Sequence, residues 1–160
     1  MNVNESHDIT IYWNNFVAGE KHTFGKYYLS TKKIIEFGLD YDPLPHHISE
    51  ETAKHSPIGK LCASGIQGVG IAHKILCDNF LKKTSLYAGK GFEEMIVHQP
   101  ILPEQNLHIE MSILETTPHK YKNDRGWVHY KVVLFGENDE KLLSYRAMVL
   151  FLCNPDLINN

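Results

Sequence analysis

Asp42 and His47 stand five residues apart across Pro43 and Pro45, and eighteen residues after His47 comes Gly65, preceded by Ser64, a pair that could open a helix. An ionised Asp and a His that is neutral near pH 7 form an acid/base pair able to move one proton at each side of a water molecule. That is the chemistry of adding or removing water. The prolines set a condition on it. Each fixes its own φ and pushes its predecessor, Asp42 or Leu44, toward extended backbone, and five extended steps would part the two Cα atoms by roughly 15 Å. The pair can share a small reactant only if the chain turns near Pro45 and His46. An Asp-Pro turn followed by two exposed histidines is also a common surface loop, so spacing alone leaves both readings open.

The elements that must position these residues follow from periodicity and capping. Ser30 or Thr31 can cap a short helix through Phe37, with Ile34, Ile35 and Phe37 on a helical period, and this delivers the chain to Asp42. Ser49 can cap another short helix with Glu50 and Glu51 in its first turn, and Pro57 ends or follows it. The main helix is expected from about Gly65 to Lys83. Ile66, Val69, Ala72, Ile75, Leu76 and Phe80 would form its apolar face, with Lys74, Asp78 and Lys82 on another. Gly68 and Gly70 suit either close packing against a backbone or ligand, or a merely tolerant helix end. His73, beside the apolar face, reads as a satisfied core histidine.

The rest is β-rich. Ile9 to Phe16 and Phe24 to Leu29 read as short extended pieces. Leu107, Ile109, Met111 and Ile113 alternate with polar neighbours as in a half-buried strand. Trp127 to Phe135 and Leu142 to Cys153 are long strand candidates joined by a hairpin at Gly136 to Glu140, and Tyr87 to Val97 is a fourth, weakened by Gly89 and Gly91. Residues 1 to 8 are expected to be loose and the tail from Asn154 to be a simple polar end. One long helix followed by antiparallel strands gives an α+β domain spanning residues 1–160, whose sheet must bury the helix.

Composition narrows the function classes. Hydrophobic residues at 42% and charged residues at 22% are an ordinary globular balance, and a formal net charge of −3 offers no basic field for nucleic acid. The ten histidines are scattered, without compact metal-ligand spacing, so no metal is expected. Cys62, Cys77 and Cys153 are odd in number and far apart, which points to free thiols in a reducing compartment. With no signal-like or membrane-spanning apolar run, a cytoplasmic location without membrane contact is the expectation.

The run Phe37, Asp42, Pro43, Pro45, His47, Ala53, Ser56, Ala63, Ser64, Gly65 resembles the MaoC-like dehydratase family, which includes the (R)-specific enoyl-CoA hydratases. Pro100, Pro103 and Asp124-Arg125-Gly126 extend the match over most of the chain. The resemblance implies a hotdog fold, a curled antiparallel sheet around a central helix, usually paired into homodimers. It implies an enzyme of fatty-acid metabolism that hydrates a trans-2-enoyl thioester to the (R)-3-hydroxyacyl thioester, or runs the reverse dehydration, with coenzyme A or acyl carrier protein on the substrate and no cofactor. Asp42 and His47 match its catalytic pair. Gly65, with Ser64, matches the group whose backbone N–H polarises the thioester carbonyl, a role suited to a helix N-terminus. Leu44 and His46 are candidates for pocket lining, with His46 alternatively at the surface, and Cys62 would pack.

Three positions depart from the family. Leu44 stands where the best-defined hydratases have Asn, Pro103-Glu104-Gln105 replaces Pro-Gly-Asp, and Ser49 replaces an acidic residue. The loss of the Asn keeps a second reading in view, a hotdog module that binds acyl thioesters without turnover. A thioesterase on the same scaffold is the weaker third.

Overall fold

The structure, a computed structural model, describes residues 8–158, so the expectation of a loose start lies, for residues 1–7, outside them. Strand β1 (Lys21–Leu29) leads into three helices, α1 (Thr31–Tyr41), α2 (Pro45–Ile48) and α3 (Glu50–Lys54), then the long α4 (Gly65–Asn79). Four strands follow: β2 (Leu86–Val97), β3 (Gln105–Pro118), β4 (Arg125–Phe135) and β5 (Lys141–Leu152). They form one antiparallel sheet in the order β1-β3-β4-β5-β2. Helix α4 packs against β1, β3, β4 and β5, which is the helix-wrapped sheet of the hotdog fold.

Alternation builds the core. Leu107, Ile109, Met111 and Ile113 of β3 and Val128, Tyr130, Val132 and Leu134 of β4 point inward and are almost completely buried. Against them α4 sets Ile71, Ala72, Ile75 and Leu76. Its buried face is rotated from the expected one. Ile66 is exposed, and Gln67 and Gly68 are buried instead. Gln67 Nε2 donates to the Lys33 carbonyl at 2.8 Å, tying α4 to α1. Gly68 is required by packing, since a Cβ there would lie 2.5 Å from Ile101 Cδ1, whereas one at Gly70 would meet open space.

Helix α4 also ends earlier than expected. Phe80 leaves the helical conformation, its ring meeting Phe16, Phe24 and His22, and Leu81–Lys83 forms a 3-10 turn. Helix α1 runs four residues beyond Phe37, to Tyr41. The extended piece expected over Ile9 to Phe16 reduces to a single bridge between Ile11 and Thr84 followed by a 3-10 turn at Trp13–Asn15. Trp13 claims that space by packing where Gly126 has no side chain; a Cβ there would lie 2.2 Å from its ring. Another 3-10 turn, Pro155–Leu157, orders part of the tail. Strand β2 forms in spite of its glycines, with register shifts that include one between Gly89 and Gly91. It lies at the sheet edge, and Leu86, Tyr87, Phe92, Met95, Ile96 and Val97 on it are all exposed.

Candidate active site

The turn that the prolines demand is made in three steps. Helix α1, capped by Ser30 and anchored by the fully buried Ile34, ends at Asp42, whose N–H donates to the Gly38 carbonyl at 3.0 Å. Leu44 N–H then donates back to the Asp42 carbonyl at 2.8 Å, a tight three-residue turn. Pro45 takes the first position of α2, where a missing N–H costs nothing, and His47 N–H donates to the Leu44 carbonyl at 2.9 Å. Helix α2 crosses α1 at Gly38, where a Cβ would stand 2.3 Å from the His47 carbonyl oxygen. Ser49 caps α3 through the Glu51 and Thr52 amides, and Thr52 Oγ1 donates to the Pro45 carbonyl at 2.6 Å.

These contacts bring Asp42 and His47 together. His47 Nε2 lies 3.6 Å from Asp42 Oδ2, with the imidazole buried and the carboxylate about one quarter exposed. His47 Nδ1 is 2.7 Å from the Cys62 carbonyl. A carbonyl only accepts, so Nδ1 carries the proton and the neutral ring presents a lone pair at Nε2. Cys62 is held in turn by its N–H donating to the His46 carbonyl at 3.0 Å. Its Sγ lies 4.0 Å from His47 Nδ1, and burial pushes the thiol pKa up, so the side chain packs while its carbonyl orients the histidine.

Ser64 and Gly65 join the same site. Ser64, at the N-cap of α4, accepts from Ile66 N–H at 3.3 Å and donates its hydroxyl to Asp42 Oδ2 at 2.6 Å. Gly65 N–H is the first amide of the helix and takes no part in its ladder. A Cβ at Gly65 would lie 2.9 Å from Met95 Cε and 3.1 Å from Val97 Cγ2, so the start of α4 lies close against β2 here. Beside it is a cleft of about 230 Å³ lined by His47, Ile58, Cys62, Gly65, Val97 and His98 among others. Leu44 and His46 are not among its lining residues. Leu44 is half exposed at the N-cap of α2, and His46 stands edge-on to His47 at 4.1 Å, its pKa lowered chiefly by burial.

One residue of the site escaped the sequence reading, and two that it named take on other roles. His98, fixed by a 2.9 Å hydrogen bond between its Nε2 and the buried Ser144 hydroxyl, faces the cleft with His47. Its only signal was a position two residues before Pro100. Glu104, already a departure in the sequence, has a left-handed backbone, at φ 59°. Its carboxylate accepts from Thr31 N–H at 2.7 Å and from the Tyr28 hydroxyl, so the departure supplies a cap for α1. His73 corrects an expectation. It is no satisfied core histidine, because its Nδ1 is buried without a hydrogen-bond partner.

Among the described residues no three His, Cys, Asp or Glu side chains gather as a metal site, and no helix is long and apolar enough to cross a membrane. All three cysteines are free.

No family profile matches the chain. It is 23% identical over 137 residues to the uncharacterised protein YdeM of Bacillus subtilis, an alignment covering 86% of this chain and 96% of that one. Among solved structures, the MaoC-like dehydratase from Rhodospirillum rubrum superposes with a TM-score of 0.83 at 27% identity, covering 91% of this chain and 99% of that one. The R-hydratase PhaJ1 from Pseudomonas aeruginosa gives 0.68 at 16% identity, with 90% and 87% covered. By its wrapped helix, its strand order and these superpositions, the chain has the hotdog fold and resembles the MaoC-like dehydratases over nearly its whole length.

Proposed function

We propose that this protein adds water reversibly to a trans-2-enoyl thioester, giving the (R)-3-hydroxyacyl thioester. The observation that carries the reading is the convergence of the Asp42 carboxylate and His47 Nε2 beside the first amide of α4. The dehydratase and hydratase superpositions support the same class of chemistry.

In this reading the thioester oxygen accepts the Gly65 N–H, and water sits between Asp42 and His47 Nε2. As the water oxygen bonds to the β-carbon, Nε2 takes one of its protons. The electron pair of the double bond moves onto the thioester oxygen, where the helix N-terminus stabilises it. The carboxylate 3.6 Å away holds the imidazolium, which returns its proton to the α-carbon. One water is consumed, and both additions take place on the face presented to the dyad. A positioned general acid/base is worth roughly 10²- to 10⁴-fold in rate.

The test is the loss of conjugated enoyl-thioester absorbance with short, medium and long trans-2-enoyl-CoAs. Turnover by the wild type that falls by at least ~10²-fold in both Asp42→Asn and His47→Ala is the expected result. A folded protein that binds acyl thioesters with no turnover would replace this reading with a binding module, the alternative that Leu44 keeps in view.

We also propose that two copies pair along β2. This edge strand carries six exposed apolar side chains and no proline, and its charges, Lys90, Glu93 and Glu94, lie between Tyr87 and Met95, leaving the apolar run Met95–Val97 at one end. Such an edge is a template for a second strand.

A further inference from the structure

A chain of net charge −3 carries a local excess of cations at one end of its sheet. Strands β3 and β4 are joined by a turn over residues 119–124. His119 N–H closes it by donating to the Arg125 carbonyl at 3.1 Å, and Cys153 N–H, just past β5, pins it by donating to the Asp124 carbonyl at 2.8 Å. Beside this turn is a cavity of about 440 Å³, lined by Trp13, His119, Lys120, Tyr121, Lys122 and Arg125 among others. Its volume is that of a small-molecule site. Among the described residues no Asp or Glu lines it.

The cations here are set among aromatic rings. Arg125 is fixed by its Nε and Nη2, which donate to Asp124 at 2.7 and 2.8 Å, and its guanidinium lies 4.6 Å over the Tyr87 ring. Asp124 offsets that one charge, and Lys120 and Lys122 add theirs. Lys120 Nζ stands 5.2 Å over the Tyr121 ring. A fourth cation, Lys90, stands 5.8 Å over Trp127, against which His119 stacks at 6.4 Å. Tyr121 N–H donates to His119 Nδ1 at 3.2 Å, so the ring proton of that histidine is on Nε2. Tyr121 itself is 78% exposed at the tip of the turn.

We propose that this cavity binds a nucleotide, its phosphate against Lys120 and Lys122 and its base against Tyr121. A concavity lined by one sign of charge gathers ligands of the opposite sign. The rings select among anions, because a base offers a flat face for stacking while inorganic phosphate would leave them unused. The site is separate from the reacting cleft of the same chain. Tyr87, under Arg125, and Val97, against Gly65, are ten residues apart on β2, roughly 30 Å along a strand. Two sources share this ligand chemistry, a free nucleotide and the nucleotide end of coenzyme A, and the experiment separates them.

The test is titration calorimetry on the full chain at low salt with AMP, adenosine 3′,5′-bisphosphate, ribose 5-phosphate and inorganic phosphate. The proteins are the wild type, the double variant Lys120→Glu/Lys122→Glu, and Tyr121→Ala, with melting temperatures to show that each is folded. The expected result is that at least one nucleotide binds the wild type about tenfold or more tightly than ribose 5-phosphate does, a preference erased in Tyr121→Ala. The double variant should lose about tenfold or more in nucleotide affinity. No nucleotide binding, an affinity unchanged in the double variant, or ribose 5-phosphate or inorganic phosphate bound as tightly as the nucleotides would overturn the proposal. The bisphosphate carries the 3′-phosphate of coenzyme A. Its binding at least about tenfold more tightly than AMP assigns the site to coenzyme A, and equal binding assigns it to a free nucleotide; both uphold the site. Calorimetry needs no turnover, so the outcome is independent of the enoyl-thioester reading.

Discussion

Ser64 serves two partners with one oxygen, capping α4 through Ile66 N–H while donating its proton to Asp42 Oδ2. Ser64→Ala should therefore lose about 1 kcal/mol of stability from the cap. It should lose in addition a hydrogen bond to a charged group, worth about 1.5–3 kcal/mol, or roughly ten- to a hundred-fold in kcat if it orients the carboxylate. Ser64→Thr, which keeps the hydroxyl, should recover most of both, as denaturant melts and enoyl-thioester kinetics would show. His73 gives a pH prediction. Burial lowers its folded pKa below the ordinary imidazole value of 6.5, so on acidification the unfolded chain binds the proton first. Its contribution to stability is complete above pH 6.5 and is lost as pH falls toward and through the lower folded value. Melting temperatures between pH 8 and 5 should drop less in His73→Leu than in the wild type. At this scale the reacting side chains were legible, because Asp, His and two prolines at fixed spacing constrain both chemistry and backbone. The Cys62 carbonyl that sets the His47 tautomer was not, since every residue has a carbonyl and only the fold selects one.

The crossing of α1 over α2 has no room for a methyl group at Gly38. Gly38→Ala should cost about 1–3 kcal/mol by overpacking. Because the atom it strikes is the His47 carbonyl, kcat should fall while crotonyl-CoA binding changes little, a split that steady-state kinetics would resolve. Glu104 offers a contrasting test. Glu104→Ala keeps a side chain in the left-handed region and loses the contacts to Thr31 and Tyr28, whereas Glu104→Gly loses the same contacts but relieves the backbone. The alanine variant should melt lower than the glycine variant. Elements with strong signals were readable from sequence: α4, the alternating β3, and the β4–β5 hairpin. The burial face of α4 was misread because hydropathy placed Ile66 inside, while close packing at Gly68 and the Gln67 bond to Lys33 turned the helix. The stretch before β1 was misread because β-branched and aromatic composition does not reveal that Trp13 will dock on a distant glycine.

Strand β2 sets the expectation for the whole molecule. Sedimentation equilibrium should report twice the chain mass for the wild type, and Ile96→Lys, which puts a charge inside the exposed apolar run Met95–Val97, should shift it toward the monomer. The same strand touches α4 at two places, where Met95 and Val97 meet Gly65 and where Phe92 meets His73. Occupancy of the cleft at Gly65 and pairing of the edge thus draw on one strand, and thermodynamic reciprocity binds the two. If an acyl ligand in that cleft tightens self-association by some factor, self-association must raise affinity for that ligand by the same factor per site. Apparent ligand affinity would then climb with protein concentration across the monomer–dimer midpoint, and in Ile96→Lys it would stay flat.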